Sequence, residues 1–331
     1  MSFFAVLFAL LIEQVKPLPS GNVVHDSLTS WMRWTGFNFD AGGERHAWVV
    51  WFVTVLFPSL LAWAVFVGIS QFSLLLALAW NVFVLYLTLG FRQFSHYYTD
   101  IRDALERGDE IEARRLLAQW RHLDASELPR TELLRHVIEH ALLAAHRHVF
   151  GVFFCFVVLS AFGLGPAGAV LYRMSELASR YWAFKDQTVG VMLNERLVAL
   201  SFRLFNLLDH VPARLTAFGF AVVGNFEEAV NCWRRDAGLW KYPNEGIILA
   251  AAAGALGVQL GGPAAPGVTP DRSKTDNGGV GGAAMAGFDA DSTAGLAPQS
   301  GHLRSTVGLI WRSVVLWMLL LALVSLSNLI G

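Results

Sequence analysis

The sequence predicts an all-α fold: a polytopic α-helical integral membrane protein with helical cytoplasmic inserts. Three observations lead there. Of 331 residues, 54% are hydrophobic and 15% charged, against about 25% charged in an ordinary soluble domain. Residues 47–91 run for 45 positions without an Asp, Glu, Lys or Arg. The polar stretches between the apolar runs place their leucines and valines at helical period. Mean hydropathy is +0.46. The same figures exclude other classes. Disorder needs low hydrophobicity and high net charge. A nucleic-acid partner needs a basic field, and 25 Lys+Arg against 26 Asp+Glu offers none. Cys155 and Cys232 are too few for a disulfide framework or a four-thiolate zinc site.

Residues 1–46 read as an N-terminal interfacial segment. Ser2–Ile12 is apolar but shorter than the roughly 20 residues that cross a bilayer. It also lacks the basic flank and cleavage site of a secretory signal, and Glu13 and Lys16 end it at the water boundary. Residues 47–91 read as a transmembrane hairpin, with spans near 47–69 and 72–91 and a turn at Ser70-Gln71. Pro58 lies inside the first span. Trp48 and Trp51 suit the headgroup layer. Asn81, mid-span, is costly in lipid and is expected to face protein.

Residues 92–148 form a helical polar insert with nine Arg and ten Asp+Glu. Asp109 and Glu112 have the spacing of a capping box ahead of Leu116, Leu117 and Trp120. A second helix near 131–147 carries Leu133, Leu134, Val137, Ile138, Ala141 and Leu142 on one face. Glu132, Arg135, His136, Glu139 and His140 mark the other, read as solvated. Residues 149–172 are a broken or re-entrant membrane helix, interrupted by Gly163, Gly165, Pro166 and Gly168. Residues 173–263 are a second helical polar segment with an amphipathic helix, from Leu193 to Val211, that stops before Pro212. Residues 264–304, rich in Gly, Ala, Ser and Pro, read as a flexible linker. Residues 305–331 form a C-terminal transmembrane helix. The Lys/Arg bias puts residues 92–148 on the cytoplasmic side of an inner membrane. Residues 172–245, with nine Lys+Arg, prefer the same side, which a re-entrant 149–172 satisfies.

Three motifs bear on chemistry. His136-Val-Ile-Glu139-His140 has the H-x-x-E-H spacing of inverted zinc proteases. Three fixed positions are weak evidence, and a polar helix face explains them without a metal; no metal site is assigned. His146 and His148 extend this local histidine set, with proton sensing or a membrane-boundary position as its alternatives. The stretch Gly254–Pro263 (GALGVQLGGP) lacks the Gly-Lys-Ser/Thr of a Walker loop. It is read equally as a backbone contact for phosphate or as small-residue helix packing.

Several stretches together resemble the CobD/CbiB family of cobalamin-biosynthesis membrane proteins. They are Arg92-Gln-Phe-Ser-His96, Ala104–Asp109 with Ala113-Arg114, Asp124–Leu128, Arg135–Glu139 and Gly165–Arg173. Val211-Pro-Ala-Arg214-Leu-Thr-Ala217, Pro243-Asn244 and Ala253–Pro263 are the most specific. The resemblance spans about Arg92 to Pro263. It implies adenosylcobinamide-phosphate synthesis, an ATP-dependent amide ligation on a corrinoid substrate with Mg2+. It also implies catalytic roles for Glu139, His96 and Asp124. Arg92, Arg214, Asn244, Gly257, Gly261 and Gly262 would bind substrate. The chain departs from that family at Leu143–His148 and Ser175–Ser179, where the family carries further Glu, Asn and Asp. There, and in Phe3–Glu13, Leu142-Leu143, Val149–Phe156 and Tyr181-Trp182, it looks similar to AmpE. That related branch of membrane proteins is associated with β-lactamase induction and cell-wall signalling, and the likeness implies a non-catalytic modulator as the alternative.

Overall fold

The computed structural model describes residues 2–15, 23–39, 43–121, 125–188, 195–261 and 293–330. Among the described residues the regular structure is helical, and the single β-type pairing is one isolated bridge. The protein is an all-α membrane protein. Among the described residues three helices are long and apolar enough to cross a bilayer: Arg45–Ser70, Arg130–Ala161 and Ser300–Ser327. Shorter apolar helices are Ser2–Val15 and Leu74–Thr88. The chain divides into two compact units, Met1–Gln93 with Arg147–Pro212 and Met318–Gly331, and Phe94–His146 with Ala213–Trp317.

The first unit opens with α1 (Ser2–Val15), α2 (Val23–Phe39) and α3 (Glu44–Trp51). A π-helical turn (Phe52–Leu56) then leads into α4 (Phe57–Ser70). Pro58 lacks an amide donor, and the turn just ahead of it is the one that widens. Ser59 Oγ donates to the Val55 carbonyl at 2.7 Å. After the turn at Gln71, Ser73 caps α5 (Leu74–Thr88) by accepting from the Leu76 amide. Trp80 Nε1 ties α5 to α4 through the Ala62 carbonyl at 3.1 Å. Asn81 is buried, as its mid-span position required. Glu13 is also buried, while Ile12, Gln14 and Val15 around it at the end of α1 are exposed. At 15 residues α5 is about 22 Å long, shorter than the roughly 30 Å hydrocarbon core.

Helix α9 (Gly151–Ala161) ends in a turn built on Gly163 and Gly165, both at positive φ, and α10 (Ala167–Thr188) returns along it. The approach is close because side chains are absent. A Cβ on Gly168 would stand 2.1 Å from the Cys155 carbonyl oxygen, and one on Gly151 would collide with the Tyr172 ring. Helix α10 is the centre of this unit. Ala169 and Tyr172 pack with Ala5, Leu85, Val152 and Phe156. Met174, Ala178 and Trp182 pack with Met32, Val50, Val55 and Leu197. Within the segment read as polar, Arg173, Glu176 and Arg180 share one face of a helix whose other side chains form the core. The outward faces of α4 and α5 remain apolar, with Leu60, Leu61, Leu74 and Leu75 exposed.

Helix α11 (Glu195–Val223) runs straight through Pro212, so the expected stop there is overturned. A proline costs a helix about 3 kcal/mol but does not forbid it. Tertiary packing outweighs that cost: Pro212 is buried, and Ala213, Ala217, Phe220 and Ala221 are fully buried beyond it.

The second unit contains α6 (Phe91–Glu106), α7 (Glu110–Arg121) and α8 (Arg130–Ala145), followed by a π-helical turn at His146–Phe150. It also holds α12 (Phe226–Asp236), α13 (Pro243–Leu256) and the first part of α14 (Ser300–Ile330). Asp109 accepts from the Glu112 amide at 3.0 Å and caps α7, while Glu112 pairs with Arg115 rather than reaching back. Helix α13 is almost wholly buried from Gly246 to Gly254. Its alanines and glycines allow that: a Cβ on Gly254 would stand 2.2 Å from the Glu228 carbonyl oxygen of α12. Helix α14 begins at Ser300, inside the expected linker, and residues 264–292 of that linker lie outside the described residues.

Candidate functional site

The site is built in the second unit where α8, the end of α13 and the chain after it meet. Helix α13 stops at Gly257, in the left-handed conformation (φ 65°), and its amide donates back to Gly254 at 3.3 Å. The chain then runs extended beside residues 293–296. The Gln259 amide donates to the Leu296 carbonyl, the Leu296 amide to Gly257, and the Thr293 amide to Leu260, each at 2.9 Å. Thr293 Oγ1 accepts from the Leu260 amide, also at 2.9 Å. This pairing delivers Gly261 to α8.

Two side chains of α8 hold the Gly261 residue from both ends. Glu139 Oε1 accepts its amide at 2.8 Å, and Arg135 Nη1 donates to its carbonyl at 2.7 Å. Glu139 is fully buried and Arg135 nearly so. They lie four residues apart, hence on one face. Arg135 is also ion-paired with Glu132, and His136 Nδ1 stands 3.8 Å from Glu139 Oε2. Gly261 has φ 72°, and a Cβ there would press on Trp240 at 3.1 Å. Only glycine meets both demands without strain.

Two further pairs lie in this unit. Arg214 Nη1 reaches Asn244 Oδ1 at 3.5 Å, joining α11 to the first turn of α13. His146 Nδ1 and Thr216 Oγ1 are 2.8 Å apart, both buried. His146 sits seven residues after Glu139 on the same helical face, at the opening of the π turn, a feature that frequently marks functional sites.

The structure sorts the expected residues. Glu139 and Gly261 come together, and so do Arg214 and Asn244. Gly257 shapes the approach to Gly261. His96 stands on the exposed face of α6, its side chain 72% exposed, paired with Asp100 at 3.4 Å. Asp124 and Gly262 lie outside the described residues, as does the side chain of Arg92. The polar face of α8 was read as solvated, and that is corrected: Arg135, Glu139 and His146 are buried, and His136 and His140 half-buried. His140 meets the Trp120 ring edge-to-face at 4.4 Å, and Tyr97 stacks on Trp120. Sequence reasoning missed the Arg135 grip, the His146–Thr216 bond and the role of residues 293–296. A lone arginine beside a glutamate carried no signal, and residues 293–296 have no periodicity.

Comparison with known proteins assigns the lineage. The family model described as CobD/Cbib protein matches residues 3–287. The chain belongs to the CobD/CbiB family. It is similar to the cobalamin biosynthesis protein CobD of Stutzerimonas stutzeri, with 34% identity over 331 residues, 96% of each chain. The CobD of Chromobacterium violaceum is 36% identical over 184 residues, 55% of each chain. That of Mycobacterium tuberculosis is 31% identical over 181 residues, 53% of this chain and 54% of the relative. No solved structure matches.

Proposed function

We propose that this CobD/CbiB-family protein acts in cobalamin biosynthesis as an adenosylcobinamide-phosphate synthase-like ligase of the bacterial inner membrane. It would cross the membrane several times, with its polar helices on the cytoplasmic side. The observation that carries the reading is the Glu139–Gly261–Arg135 arrangement. A glutamate and a glycine far apart in sequence, each singled out by the family likeness, share a hydrogen bond in a buried setting. A buried carboxylate held by a backbone amide is poised to exchange that amide for a substrate group. In this reading a substrate phosphate takes the Gly261 amide and the Arg135 guanidinium, both of which favour an anion. Glu139, released, takes the proton from the amine as it attacks a substrate carboxyl activated by ATP as an acyl phosphate: the C–N bond forms, the acyl C–O bond breaks, and phosphate leaves. Arg214, oriented by Asn244, holds a second anionic group.

The donor set bears on the metal. Among the described residues no three His, Cys, Asp or Glu side chains converge. Glu132 is ion-paired with Arg135, and Glu139 holds the Gly261 amide until a substrate group replaces it. Magnesium bound with substrate phosphates needs only one or two protein carboxylates; on α8 Glu139, once released, is the one that would face it, and no step here passes through the ion. Purified protein in detergent, titrated with adenosylated corrinoid and with ATP, tests the reading. It predicts saturable binding of both and its loss in Glu139→Ala. Failure of the wild type to bind either at millimolar ligand contradicts it.

A second reading, an AmpE-like non-catalytic modulator, is favoured by one observation. Leu143, Ala144 and Ala145, standing where the family carries polar groups, are buried hydrocarbon. It predicts that deletion changes β-lactam response and leaves corrinoid synthesis intact.

A further inference from the structure

The first unit holds a separate set of charges on α10, independent of the Glu139 site and of the ligase reading. Arg173, Glu176 and Arg180 lie at spacings of three and four residues, on one helical face. Glu176 is fully buried. Its Oε2 accepts from Arg173 Nη1 at 2.8 Å and its Oε1 from Arg180 Nη1 at 2.9 Å. Among the described residues it is the one carboxylate paired with either arginine. Two guanidiniums carry ten N–H donors in rigid forks, and Glu176 takes one Nη from each. The group therefore retains one positive charge, shared between Arg173, in the interior where a charge without a counter-ion is costly, and Arg180 at the exposed end. His148 and Arg147, at the start of the facing helix, lie within electrostatic reach of Glu176 and add no negative charge.

The placement says what would balance that charge. Helix α10 packs against α9 and α4, and the outward side chains of α4 and α5 are bare hydrocarbon. The two arginines grade outward: the Arg173 side chain is 12% exposed and that of Arg180 46%. They are seven residues apart, about 10 Å along the helix. This is a ladder of donors leading from the surface of an apolar helical unit into its interior. Basic pockets between membrane helices take anionic headgroups, and a planar guanidinium fork matches phosphate oxygens.

We propose that Arg173 and Arg180, bridged by Glu176, form a phosphate-binding site occupied by the headgroup of an anionic phospholipid. Glu176 holds the two forks in place and competes with the ligand for them. That competition gives a test that a purely structural ion pair fails. Full-length protein in detergent is mixed with phosphatidylglycerol or phosphatidylcholine, and retained lipid is measured by native mass spectrometry. The wild type should retain phosphatidylglycerol preferentially. Arg180→Gln, a half-exposed position expected to fold, should weaken retention roughly tenfold, the loss of one charge-assisted pair. Glu176→Gln should strengthen it, because both arginines then face the phosphate unopposed. Equal retention of the two lipids, an unchanged Arg180→Gln, or weaker binding in a folded Glu176→Gln would each overturn the proposal. Inorganic phosphate is the third probe. If it alone reproduces the variant pattern, without phosphatidylglycerol preference, the lipid source is overturned and a soluble phosphate compound takes its place.

Discussion

At the scale of single residues, the glycines after α13 do different jobs and should answer differently to alanine. Gly257 and Gly261 both have positive φ, which costs a residue with a side chain about 1–2 kcal/mol. A Cβ on Gly257 meets open space, whereas one on Gly261 meets Trp240. Gly261→Ala is therefore predicted to lower stability more than Gly257→Ala, by up to about 3 kcal/mol, and thermal unfolding of the two variants checks the order. Glu139→Ala leaves the buried Gly261 amide without its acceptor, a loss of about 1–3 kcal/mol by the same assay. Cys232 supplies a pH dependence. Burial, then the charge of Asp236, pushes its thiol up. Thiolate is the reactive form, so at pH 8 Cys232 should react with a disulfide reagent more slowly than free cysteine, and its rate should rise with pH over a higher range than that of the free thiol. A native rate at pH 8 equal to that of free cysteine contradicts this. Glu139 and Gly261 were each legible in the sequence through the family likeness. Their union was not, because a hydrogen bond across 122 positions leaves no local pattern.

Among the helices, close approach through glycine governs the α9–α10 hairpin. Gly168→Ala places a methyl against the Cys155 carbonyl and is predicted to destabilise by about 1–3 kcal/mol. Gly68→Ala, in open space on α4, is the matched control and should be neutral or stabilising, since alanine favours helix by about 1 kcal/mol. Equal loss in both variants would contradict close packing as the cause. Apolar runs and the Asp109 cap could be read directly, since each is set by neighbours in sequence. The passage of α11 through Pro212 could not, because the packing that offsets the proline comes from distant residues. The burial of α8 on its polar side was hidden for the same reason. Its charges match a solvated face in pattern, and only their partners at Gly261 and Thr216 distinguish the two.

For the whole molecule, orientation and activity are the claims to test. Both natural cysteines are buried, so a cysteine introduced at the exposed Ser126 would be the fast-reacting thiol. In intact cells Ser126→Cys is expected to resist membrane-impermeant maleimide and to react after permeabilisation; labelling from outside would reverse the proposed orientation. The membrane class followed from composition and charge spacing, because lipid acts on every residue of a span at once. Activity depends on a few side chains, and the apolar Leu143–Ala145 stretch sets the ligase reading against the family's more polar pattern. Complementation of a bacterial strain lacking adenosylcobinamide-phosphate synthase decides between them. The account predicts that the wild-type gene restores growth on cobyric acid and that Glu139→Ala, expressed at equal level in the membrane, does not. Growth restored equally by both would remove Glu139 from the chemistry, and no growth with the wild type would contradict the ligase assignment itself.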